Sequence, residues 1–93
     1  MAEKQIERRL SDGVKKRGGI CMKFESPGTP GVPDRIVLTP DGRTIYVELK
    51  TEVGRLSAIQ QRVIGEMWKR GADVRVLRGT VEVEKFLKEV WTF

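Results

Sequence analysis

The chain has no histidine and only one cysteine, Cys21, in 93 residues. An internal disulfide and a thiolate metal cluster are therefore excluded, and Cys21, set in the apolar run Ile20 to Phe24, reads as a small core residue in a reducing compartment. Any metal or acid–base chemistry must come from carboxylates, lysines and main-chain oxygens, a donor set that suits Mg²⁺ or Mn²⁺. No apolar run approaches the roughly 20 residues that span a bilayer, and charge begins at Glu3. Neither membrane insertion nor secretion is expected, and the expected setting is cytoplasmic.

What is present suits one small domain over residues 1–93, with 39% apolar residues for a single modest core and 33% charged residues for solubility. Lysine and arginine number 18 against 13 acids, a net charge of +5 that hardly changes near neutral pH without histidine. This balance favours polyanionic partners such as nucleic acid.

Periodicity supplies the order of elements. Ile6, Leu10 and Val14 form one stripe of a helix from Glu3 to about Arg17, stopped by Gly18-Gly19. A short strand runs from Ile20 to Glu25. Residues 26–33 (SPGTPGVP) hold three prolines and two glycines and predict a loop that is mobile in isolation. Two strands, Asp34 to Thr39 and Thr44 to Lys50, flank a Pro40-Asp41-Gly42 turn. A second helix spans about Leu56 to Arg70, and a fourth strand spans Asp73 to Arg78. Thr80 is the expected cap of a last helix striped by Val83, Phe86, Leu87, Val90 and Trp91. The order α-β-β-β-α-β-α, with the second helix as a crossover, predicts an α/β fold in which a mixed four-stranded sheet is flanked by helices.

The chemistry gathers in GVPDRIVLTPDGRTIYVELK, residues 31–50. Side chains alternate along a strand, so Tyr46, Glu48 and Lys50 share one face, with Glu48 and Lys50 about 7 Å apart at roughly 3.3 Å per residue. In an antiparallel hairpin the start of one strand adjoins the end of the next, which brings Asp34 near both. Two carboxylates at a strand end suit a hard divalent cation, and a neighbouring lysine suits the activation of water and the stabilisation of phosphoryl charge. Set against this, Glu-x-Lys is common by chance on exposed strands.

Pro33-Asp34 followed by Glu48-Leu49-Lys50, after a helix bearing glutamate, resembles the PD-(D/E)xK nuclease superfamily. More narrowly, GVPDRIVL, IYVELK and LSAIQ (56–60) resemble the virus-type replication-repair nuclease family, VRR-NUC, in its stand-alone phage form, from about Glu3 to Leu77. The resemblance implies a restriction-endonuclease-like core and Mg²⁺- or Mn²⁺-dependent hydrolysis of DNA, with a preference for branched substrates such as four-way junctions or flaps. It implies Asp34 and Glu48 as metal ligands, the Leu49 carbonyl as a further one, and Lys50 as the residue that positions water.

Two positions stay open. Glu3 and Glu7 compete as the acid of the first helix. Glu3 is favoured because it falls between Leu10 and Val14 on the helical wheel and stands at a spacing similar to that of resolvases. Gln60 lies amid Leu56, Val63, Ile64 and Met67, so it either faces the site, as the resemblance implies, or closes a capping box with Ser57; the two are compatible. Lys23, Arg35 and Arg55 are candidate DNA contacts, and Arg43, Lys69 and Arg70 are further cations that could meet the backbone. Trp68 and Trp91 read as packing residues, Trp91 at a subunit contact. A surface this small suggests a two-fold homodimer acting on a junction. The rival readings are a non-catalytic nucleic-acid-binding module of the same fold, and an interaction subunit docking through its last helix.

Overall fold

The computed structural model describes residues 3–91. Seven elements follow in order: α1 (Glu3–Lys16), β1 (Ile20–Lys23), β2 (Arg35–Leu38), β3 (Thr44–Lys50), α2 (Ala58–Lys69), β4 (Val74–Arg78) and α3 (Gly79–Val90). The four strands lie side by side in chain order. β1, β2 and β3 pair antiparallel, whereas β3 and β4 are parallel and joined through α2. This is the mixed sheet expected from the sequence.

The core lies on one face of the sheet. Ile6, Leu10 and Val14 of α1 meet Val83, Phe86, Leu87 and Val90 of α3 over Val37, Ile45, Val47 and Leu49. The two helices approach closely at Gly13, where a β-carbon would stand 2.3 Å from Leu87 Cδ1. The other face carries only α2, which buries Ile64 fully, while Ile20 and Met22 at the β1 edge remain 55% and 43% exposed.

One local expectation changes, and two other stretches gain definite contacts. Thr80 does not cap the last helix: Gly79, at φ +76°, turns β4 directly into α3, and the Arg78 N–H donates to the Glu82 carboxylate at 2.8 Å. Glycine is required there, because a β-carbon would meet the Glu52 side chain at 2.7 to 3.0 Å. Trp91 is engaged within the chain, half-buried against the core with its indole N–H donating to the Arg17 carbonyl at 3.1 Å. Within residues 26–33, positions 27–30 are exposed while the end of the segment packs: Gly31, at φ +93°, lies so close to α2 that a β-carbon would stand 2.9 Å from the Ile59 carbonyl.

Candidate active site

Antiparallel and parallel pairing together bring one end of every strand to the same edge of the sheet. Lys23, Arg35, the Glu48–Lys50 segment and Arg78 follow one another across it. Arg35 faces Val47 in the β2–β3 register, so the next step outward sets Asp34 across from Glu48. The Phe24 N–H donates to the Asp34 carbonyl at 2.9 Å, and the Leu49 N–H donates to Asp34 Oδ1 at 3.3 Å. A backbone bond from β1 and a main-chain N–H of β3 on its carboxylate thus hold the aspartate at the β2–β3 seam.

Glu48 is the centre of the arrangement. Its side chain is 5% exposed, and Oε2 receives Lys50 Nζ at 3.4 Å and Gln60 Nε2 at 3.1 Å. The other oxygen, Oε1, is buried with no hydrogen-bond partner among the described residues. A buried carboxylate oxygen without a donor is costly unless a cation or water meets it.

The electrostatics agree. Burial pushes the Glu48 carboxyl above its ordinary range, the negative charge of Asp34 pushes it further, and Lys50 pulls the other way. Burial likewise raises Asp34, opposed by the Leu49 N–H and the Arg35 charge. Two crowded acids that resist ionisation are poised for a shared cation, which would relieve desolvation and repulsion together.

Gln60 joins this centre to α2. The Ser57 hydroxyl accepts from the Gln60 N–H at 3.2 Å, the Gln60 Oε1 accepts from the Ser57 N–H at 2.9 Å, and the amide nitrogen remains free to reach Glu48. The capping box and the contact with the site coexist, one on each end of a single amide.

On α1 the structure brings up Glu7, not Glu3. Glu7 Oε1 is 2.8 Å from Arg35 Nη2, and its charge is felt at Asp34. Glu3 is exposed in the first turn. A helical wheel gives azimuth but not height, and Glu3 stands about 6 Å further along the axis at 1.5 Å per residue. Among the described residues no group of three or more acids or cysteines is close enough to hold one ion, and Glu7 is engaged by Arg35. The groups here that could hold a cation are the Asp34 and Glu48 carboxylates and main-chain oxygen such as that of Leu49.

The cations sort themselves by burial. Arg35 is buried, bonded to Glu7 and to the Asp34 carbonyl, so it braces the site from behind and is not an open DNA contact. Strand alternation carries that signal, since the residue after Asp34 must face α1, where an arginine needs a partner. Lys23 and Arg55 are exposed on either side of the edge. Arg43 is tied to Asp41, and Lys69 and Arg70 to Glu66.

A sheet edge on which opposed carboxylates and a lysine converge, in an α-β-β-β-α-β-α fold, defines a class of phosphodiesterase-like site, and comparison with known proteins gives the family. The model of the VRR-NUC domain matches residues 4–81. The phage protein named "Putative nuclease p44", from Acyrthosiphon pisum secondary endosymbiont phage 1, is 43% identical over 75 residues, 81% of this chain and 81% of that one. A solved structure described as a VRR_NUC domain superposes with a TM-score of 0.89 at 28% identity, covering 96% of this chain and 97% of that one. The chain belongs to the VRR-NUC family and is a nuclease. No helix among the described residues is long and apolar enough to cross a membrane.

Proposed function

We propose that this nuclease is an endodeoxyribonuclease dependent on Mg²⁺ or Mn²⁺, selective for branched DNA such as four-way junctions or flaps. The observation that carries the metal is the buried, unpartnered Oε1 of Glu48, placed across from Asp34. Asp34 and Glu48, with the Leu49 carbonyl between their strands, would hold the cation, and water would complete a hard oxygen shell. When bound, such an ion polarises a phosphoryl oxygen and lowers the pKa of a coordinated water.

The remaining groups have separate tasks. Lys50, 19% exposed and steered by Glu48 Oε2, presents an ammonium beside the carboxylates, where it orients the attacking water and offsets the charge that develops on the phosphate. Gln60 fixes the Glu48 rotamer from α2. Glu7, close to Asp34 but paired with Arg35, tunes the site through charge. The net charge of +5 supports a polyanionic substrate. The uncovered sheet face around Ile20 and Met22 supports a homodimer presenting two sites to one junction.

The deciding test is cleavage of linear, flap and four-way DNA in Mn²⁺, in Mg²⁺ and in EDTA. We expect cleavage of branched DNA by the wild type, none in EDTA, and at least about a hundredfold loss in Asp34→Ala and Lys50→Ala. Equal products from wild type and Asp34→Ala would overturn the assignment of the site.

A further inference from the structure

The cations of this chain are not paired evenly. Away from the candidate site, Arg9 holds Glu84, Arg43 holds Asp41, Lys69 and Arg70 hold Glu66, and Arg75 holds Asp73 and Glu89. A hollow of about 450 Å³ opens between α1 and the β1 edge, and Lys4, Arg8 and Lys23 line it without acidic partners among the described residues. Its acids are Glu7, which Arg35 neutralises, and Asp12, a turn beyond Arg8 and furthest from Lys4 on the helix. The balance is positive, and the positive part lies toward Asp34: Lys23 pairs with Arg35 in the strand register, and the neighbouring Phe24 N–H is bonded to the Asp34 carbonyl.

Three unpaired cations around a concave surface repel one another, and they gain most from a bound polyanion. The spacing along α1 is telling, since residues four apart lie on one side of a helix and Lys4 and Arg8 therefore face the hollow together. On the α2 side Arg55 and Arg62 are exposed as well, but Arg62 shares its hollow with Val63, Met67 and Glu66, and the other cation there, Arg70, is held by that glutamate.

We propose that this hollow, through Lys4, Arg8 and Lys23, seats the phosphates of the DNA strand next to the one at Asp34 and Glu48, so that the strand leaves the site over the β1 edge and not over α2. The seat rests on the nuclease reading for its neighbour, yet it can be measured without cleavage. Cys21, the sole cysteine, lines the same hollow and reports on whether it is filled.

The experiment is an anisotropy titration of a short fluorescein-labelled duplex against the full chain in EDTA, between about 50 and 200 mM salt. A second measurement follows the rate of Cys21 alkylation by N-ethylmaleimide with and without the same DNA. Lys4→Gln, Arg8→Gln and Lys23→Gln are each expected to weaken binding roughly three- to tenfold and to flatten the salt slope by about one. Lys85→Gln, on an exposed part of α3, should leave both unchanged, and bound DNA should slow alkylation at least about fivefold in the wild type and not in the triple variant. Melting curves confirm that each variant is folded.

The seat is overturned if Lys85→Gln weakens binding as much as the three variants do, if Cys21 reacts equally fast with DNA bound, or if the wild type binds no DNA. Binding and protection as expected, with no cleavage in any metal, would leave the seat standing and sink the endonuclease reading. Cleavage that needs Asp34 but ignores all three cations would do the reverse.

Discussion

Glu48 shows how much one residue settles. Its folded-state pKa is raised, so the unfolded chain ionises first as pH increases, and above the folded value the ionised carboxylate weighs fully against folding. That penalty fades as pH falls through the folded pKa and is gone below the unfolded one. Glu48→Gln should therefore melt higher than the wild type in EDTA at pH 8, with the gap closing near pH 4. Calorimetry at the two pH values checks it. Gln60 allows a cleaner separation of stability from chemistry, because its amide serves Ser57 at one end and Glu48 at the other. Ser57→Ala should cost about 1 kcal/mol of stability with activity kept, whereas Gln60→Ala should lose the same stability and about tenfold or more in rate. Thermal melts and cleavage rates on both variants distinguish the two. The meeting of Asp34 with Glu48 was legible from alternation and hairpin geometry alone, whereas the two ends of Gln60 were legible from the capping-box pattern with Ser57 and from the family resemblance. The choice between Glu3 and Glu7 was not, because both lie close to one stripe and only the height of α1 against the sheet edge separates them.

Among the elements, the junction of β4 with α3 departs most from what composition suggests. A threonine beside a glycine reads as an N-cap, but the chain turns at Gly79 itself, and the acid that closes the helix end is Glu82, reaching back to the Arg78 N–H. The same junction supports the turn after β3, since Glu52 lies against Gly79 and the Arg78 guanidinium donates to the Gly54 carbonyl at 3.0 Å. Gly79→Ala should destabilise by on the order of 2 kcal/mol, partly from the positive φ and partly from collision with Glu52. Adding Glu52→Ala should recover only the collision, so a double-mutant cycle on melting free energies should show a coupling of less than the whole loss. Strand and helix order followed from periods of two and 3.6, which depend only on local side-chain alternation. Long-range matters, such as how thinly α2 covers the sheet or that the Trp91 indole reaches Arg17, depend on which surfaces meet and leave no local pattern.

At the scale of the whole molecule, the cation proposed between Asp34 and Glu48 would bind the folded chain and not the unfolded one, and would then raise the melting temperature by mass action. Mn²⁺ at ten times its dissociation constant should add about 1.4 kcal/mol to the wild type and nothing measurable to the Asp34→Asn, Glu48→Gln double variant. Differential scanning calorimetry against EDTA reads this directly, and sedimentation in the same buffers reports whether two copies associate. The groups that gather at the sheet edge come from the residue just before β2, from β3 and from α2, so their alignment depends on contacts that lend no chemistry themselves. Gly31 is the plainest instance: it has no functional group to offer, yet any side chain there would prise the proline-rich segment away from Ile59. That segment leads straight into Asp34, while the displaced helix carries Gln60, so the two halves of the centre would drift apart together. A saturation screen for lost cleavage should thus return position 31 as nearly intolerant, a silent residue behaving like a catalyst.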